Sequence, residues 1–155
     1  MGLRSLLFLS ALLASMEGAA AAPALVCSGE PTAFRLTVSV TDLKSAEGQV
    51  AITVYPDEEK RFLAAGGKLA RQRVSAVAPT TAACFYLPAA GYYAVAIYHD
   101  ANANHDFDRT MLGFPDEGFG FSRDPQSTVG LPDLDEVRFP VAAGDTAITI
   151  HTRYP

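Results

Sequence analysis

The sequence predicts an all-β domain: a single antiparallel β-sandwich of about seven strands with one long ordered loop. Three observations predict it. Short runs alternate apolar and polar residues at the period of a half-buried strand. Turn-forming residues punctuate most of the gaps between those runs. No stretch shows the helical period for long enough to form a substantial helix.

The elements follow in order. Phe34, Leu36, Val38 and Val40 alternate with Arg35, Thr37 and Ser39, which gives one strand with a buried face. After the turn-like Ala46-Glu47-Gly48, Val50, Ile52 and Val54 repeat the pattern. Residues 57–65 are charged at first and end at Gly66-Gly67, consistent with one helical turn or a loop. Residues 74–78, 82–87 and 92–98 are the next strand candidates, separated by Pro79-Thr80 and by Pro88-Ala89-Ala90-Gly91. The last two, 137–141 and 147–153, flank Ala143-Gly144-Asp145. The interval up to Glu136 is too long for an ordinary connection, and it is rich in aromatics and glycine. It reads as an ordered functional loop spanning 99–136.

At 155 residues the chain amounts to one domain. Arg4, the apolar run 6–14 and the small residues 18–22 have the layout of a secretory signal over 1–22, with cleavage between 20 and 24. The apolar run falls well short of the roughly 20 residues of a membrane span, so no transmembrane segment is expected after cleavage. The β-sandwich then occupies 23–155, periplasmic or secreted. In an oxidising compartment Cys27 and Cys84 are expected to form a disulfide. The alternatives are two unrelated thiols, or a lipid-modified Cys27 that the bulky Val26 before it disfavours. The formal net charge is −5, and the loose group Lys68, Arg71 and Arg73 is the densest basic cluster, so nucleic acid is excluded as a partner.

The run from His99 to Asp108 is the first segment with chemistry. Asp100, Asn102, Asn104, Asp106 and Asp108 stand at every second position, as do the ligands at the front of an EF-hand loop. Calcium needs six to eight oxygen ligands, which such spacing can wrap around one point. The glycine and the bidentate glutamate of an EF-hand are replaced by His105 and Met111, so a further ligand must come from elsewhere, and Glu117 is the nearest candidate. A tight turn held by Asp and Asn side chains is the competing account. His99 shares strand parity with Val95 and Ile97, as an edge-of-core residue would. A transition metal held by His99, His105 and an aspartate is a weaker alternative.

The second segment, Gly113-Phe-Pro-Asp-Glu-Gly-Phe-Gly-Phe-Ser122, sets Phe114, Phe119 and Phe121 on a glycine-rich backbone. Its glycines do not open a helix after a strand, so they are no phosphate-binding fingerprint. The rings form either a lid over one end of the sandwich or an aromatic platform for a ligand. Ser122 lacks a nucleophile context, and Asp116 with Glu117 offers only a weak acid–base pair.

These two segments, with Gly91-Tyr-Tyr-Ala-Val-Ala-Ile-Tyr-His-Asp-Ala-Asn-Ala-Asn leading into the first, resemble a family of small exported bacterial proteins. It is the domain-of-unknown-function family numbered 2141. Gly48-Gln-Val-Ala-Ile-Thr-Val-Tyr and the Phe62 region are similar to its first half. The resemblance implies an immunoglobulin- or prealbumin-like sandwich and implies no reaction. The family pattern carries glycine where this chain has His105, which implies a strained loop backbone or an altered ligand set. The reading that follows is an exported, non-enzymatic binding module with a calcium-holding acidic loop. Its partner would be a protein, peptide or carbohydrate. The alternatives are a hydrolase-type enzyme using His99 with Asp100 or Glu117, and a structural protein of the cell envelope.

Overall fold

The alternating runs pair into two sheets in the computed structural model, which describes residues 25–126 and 130–155. The expected signal at 1–22 lies outside the described residues. The strands are β1 (Cys27–Ser28), β2 (Phe34–Thr41), β3 (Gln49–Pro56), β4 (Ala70–Ser75), β5 (Thr81–Tyr86), β6 (Gly91–Asp100), β7 (Gly118–Phe121), β8 (Phe139–Val141) and β9 (Gly144–His151). One short helix, α1 (Leu134–Val137), precedes β8. The first sheet has the order β1-β5-β2-β9, and the second β4-β3-β6-β7 with β8 also on β6.

The fold is all-β, with corrections to the expected strand list. Nine strands form among the described residues, not about seven. The sheets are not wholly antiparallel, because β2 runs parallel to β9 over eight register pairs and β1 parallel to β5. The fourth strand begins at Ala70, ahead of the expected 74–78. The long loop is broken by β7 and α1. β7 and β8 both pair antiparallel with β6, on the edge that β3 leaves free.

Ser122 closes the gap between those two strands. Its backbone N–H donates to Val95 O at 2.9 Å, and its Oγ accepts from Val95 N at 3.0 Å. The hydroxyl donates in turn to Val137 O at 2.6 Å. Fully buried, Ser122 is thus a ladder substitute that keeps the Val95 backbone paired where strand pairing lapses.

Alternation decides which residues reach the core. Leu36, Val38 and Val40 of β2, Phe85 of β5 and Ile150 of β9 join Val50, Ile52 and Val54 of β3 and Val95 and Ile97 of β6 in one buried cluster. The inner faces of the two sheets therefore share a core. Each such side chain contributes roughly 1.5–3 kcal/mol by leaving water. Two further ties join the sheets or their edges. Gln72 Nε2 on β4 donates to Cys84 O on β5 at 2.6 Å. Cys27 and Cys84 form a disulfide between register partners of β1 and β5. Closing 57 residues of chain, that bond stabilises by roughly 4 kcal/mol in the chain-entropy account.

The same alternation explains Gly-Phe-Gly-Phe. Gly118 and Gly120 lie opposite His99 and Ile97 on the inner face, where β9 and the segment after it press close. A Cβ on Gly120 would lie 2.8 Å from the Ile150 side chain, and one on Gly118 would meet the Tyr154 ring and Thr152. Phe119 and Phe121 project outward. They are strand residues, which corrects their expected place in a loop.

Candidate functional site

Strand β6 ends by delivering two polar residues to opposite faces. His99 points inward and is 2 % exposed, while Asp100 points outward into the acidic loop and is fully buried. Both ring nitrogens of His99 are engaged. Nε2 lies 2.8 Å from Glu47 O, which can only accept, so the proton sits on Nε2. Nδ1 then accepts from the Tyr154 hydroxyl at 2.7 Å, and that oxygen accepts from Lys44 N at 3.1 Å. The network pins the 42–48 connection and the chain end to β6. His99, Asp100 and Glu117 therefore do not converge as an acid–base set. Nor do His99 and His105 share a site, since His105 is exposed in the loop.

Asp100 organises the loop backbone. One carboxylate oxygen accepts the Asn104 N–H and the other the His105 N–H, each at 3.0 Å. Asn102 Oδ1 accepts from Asn104 N at 3.0 Å, and Asn104 Oδ1 from Asp106 N at 2.8 Å, so overlapping side-chain turns continue the path. Asn102 Nδ2 and Asn104 Nδ2 both donate to the Asp108 carboxylate, at 2.7 and 3.0 Å. The tight turn forces Ala103 and His105 into positive φ, at 56° and 71°. The carbonyl of His105 is gripped by Arg73 Nη2 at 2.8 Å and the Tyr98 hydroxyl at 3.1 Å, which fastens the loop to the sheet.

Glu117 closes the cluster from the far side. Its Oε2 accepts from Asp108 N at 3.2 Å, while Oε1 is buried and has no partner within hydrogen-bonding geometry among the described residues. Burial raises its pKa above the ordinary carboxylate value, and the charges of Asp108 and Asp100 push the same way. The backbone N–H groups of Asp108 and Ala101 act against that rise. Asp106 is exposed. Among the described residues, no three histidine, cysteine or acidic side chains form a ready-made metal cage.

The acidic loop continues into a groove on the outer face of the second sheet, a feature the sequence reading missed. Its floor is a chain of rings. Tyr98 and Phe107 lie 5.5 Å apart between centroids, Phe107 and Phe119 6.1 Å, and Phe119 and Phe121 6.2 Å, in tilted or edge-to-face arrangements. Phe62 bridges Phe121 to Tyr55. Arg71, Arg109 and Arg153 also line the groove, whose volume is about 930 Å³. Residues 109–115 rise beside it as a hairpin closed by the Arg109–Pro115 bridge, with Met111, Leu112 and Phe114 exposed at its tip. Phe114 thus belongs to the hairpin, whereas Phe119 and Phe121 belong to the floor. At the opposite end Asp124 holds His151 Nδ1 at 2.6 Å, and this contact raises the His151 pKa.

Alternation could have placed Arg71 and Arg73 on one face of β4. No local pattern brings Arg109 and Arg153 beside them, because the topology does that.

No curated protein and no solved structure matches this chain. A family model described as "Uncharacterized protein conserved in bacteria (DUF2141)" matches residues 38–149. That stretch is most of the chain and contains the whole acidic loop, Glu117 and the Gly-Phe-Gly-Phe strand, so the protein belongs to this bacterial family.

Proposed function

We propose that the domain is an exported, non-enzymatic binding module whose acidic loop holds a calcium ion, built on a sandwich of the immunoglobulin or prealbumin kind. The observation that carries this reading is Oε1 of Glu117, a buried carboxylate oxygen with no hydrogen-bond partner among the described residues, near Asp100 and Asp108. A buried anion beside two others is costly unless something positive accompanies it. A hard cation supplies that charge and takes oxygen from all three carboxylates. Asn102 and Asn104, whose amide oxygens now accept backbone N–H groups, would have to rotate to join as ligands. Asp106 is the outermost candidate ligand. Such a partly neutral ligand set implies a Kd of roughly 10⁻⁴–10⁻³ M.

The sandwich reading is supported by two sheets sharing one core, and export by the Cys27–Cys84 disulfide. A hydrolase built on His99 is disfavoured because both ring nitrogens are already engaged.

Thermal unfolding in EDTA and in rising calcium tests the metal. At ~10 mM calcium the stabilisation should be about 1.4–2.7 kcal/mol. For about 130 folded residues this is a rise of roughly 5–10 °C in Tm. Magnesium should do less, and Glu117→Gln and Asp108→Ala should each remove most of the effect. An unchanged Tm in calcium would overturn the reading and leave the loop a self-satisfied turn, as a structural envelope protein would have it.

A further inference from the structure

We propose that the aromatic groove takes a single-chain amphipathic carboxylate of the fatty-acid type, its chain along the ring floor and its head group drawn to the arginines that line it, Arg71, Arg109 and Arg153. This deepens the binding-module reading but does not require the loop to hold calcium.

Charge is the first argument. The chain is acidic overall, at −5, yet all three arginines line one groove and none has a carboxylate partner among the described residues. Arg71 spends Nε on Thr53 Oγ1 at 2.7 Å. Arg109 donates to Gly113 O at 3.1 Å and stacks over Phe107 at 5.0 Å. The Arg153 guanidinium donates to the carbonyls of Pro125 and Asp124. Each is oriented by a neutral group and keeps N–H donors for an incoming anion, and a guanidinium fork matches a carboxylate. Asp124, the acidic side chain among the described lining residues, has both oxygens occupied by His151.

Shape and polarity give the second argument. About 930 Å³ is the size of a small-molecule site. The rings of the floor already meet one another tilted or edge to face, which leaves a ridged hydrocarbon surface suited to a flexible chain. The hairpin beside it exposes Leu112 and Phe114, apolar area that a bound chain would remove from water.

The test is a titration of the chain, purified after expression from its full coding sequence, with dodecanoate below its micellisation range. Calorimetry and amide chemical shifts are recorded in EDTA and again in calcium. Dodecanoate should bind one per chain, with shifts centred on Tyr98, Phe107 and Phe119. Dodecanol should bind more weakly, and dodecyltrimethylammonium should bind least. R71Q combined with R109Q should weaken dodecanoate by about tenfold or more and leave dodecanol nearly unchanged. L112S should weaken both; it sits on the exposed hairpin tip, and an unaltered Tm checks its folding. The proposal is overturned by absence of saturable binding in both media, by equal affinity for the cationic amphiphile, or by indifference to the arginine pair. Self-association that buries the hairpin tip in place of ligand would also overturn it. None of these outcomes bears on the calcium shift in Tm, which stands or falls separately.

Discussion

Replacing His105 by glycine should stabilise the protein. His105 has φ of 71°, a conformation that costs an L-residue roughly 1–2 kcal/mol against right-handed backbone. Its imidazole is exposed and makes no hydrogen bond among the described residues, so the side chain returns nothing for that strain. The contacts that matter are backbone ones. The N–H donates to Asp100 and the carbonyl accepts from Arg73 and Tyr98, and glycine keeps them all. Against the relief stands the greater entropy of glycine in the unfolded chain, about 0.4–1 kcal/mol. The balance is a gain of about 0.5–1 kcal/mol. With an unfolding entropy near 0.27 kcal/mol/K for about 130 residues, Tm should rise by roughly 2–4 °C. Thermal unfolding by circular dichroism in EDTA reads this directly, with urea unfolding at fixed temperature as a second measure. Asp100→Asn is the opposing control. It withdraws one of two charge-assisted acceptors from the same turn and should destabilise by about 1.5–3 kcal/mol. A loss of stability in His105→Gly would refute the reasoning, because the imidazole would then hold the loop through contacts of its own.

Three further outcomes follow from the same geometry. A carboxyl with a raised folded pKa stabilises the fold below its unfolded value and loses that contribution as pH rises through the folded one. Glu117→Gln should therefore raise Tm in EDTA at neutral pH and lose its advantage toward pH 4, read by parallel melts across pH. Gly120→Ala should cost about 1–3 kcal/mol, because its Cβ is driven into Ile150 and the His151 carbonyl, and urea midpoints will show it. Cys27→Ser with Cys84→Ser should cost about 2–5 kcal/mol, measured as the loss in urea midpoint relative to the oxidised chain.

Local patterns carried much of the fold. Strands β2, β3, β5 and β6 lie within a few residues of their expected runs, because alternation marks the first two and turn residues bound the apolar runs of the others. β7 was hidden because glycine is depleted in strands, and what makes Gly118 and Gly120 fit is the approach of Ile150 and Tyr154 from distant sequence. β4 starts ahead of its expected run because Arg71 and Arg73 resemble a solvated stretch until their shared outward face is known. The parallel pairing of β2 with β9 leaves no mark in either run, since alternation reports burial and not partner. At the site, the spacing from Asp100 to Asp108 located the turn and pointed to Glu117. The division of roles within it, with Asp100 holding backbone and His99 facing away, depends on which face each strand residue takes. The groove is assembled from β4, the acidic loop and the end of the chain, so only the assembled topology reveals it.

The β2–β9 pairing also sets an order of events. The first long strand finds its neighbour 110 residues further along, where Arg35 meets Asp145. Chain delivered amino terminus first, whether from a ribosome or through a narrow channel, holds one edge of β2 unpaired until almost all of it has arrived. Completion of the first sheet is thus a late event, because the contacts that close it are among the most distant in the chain.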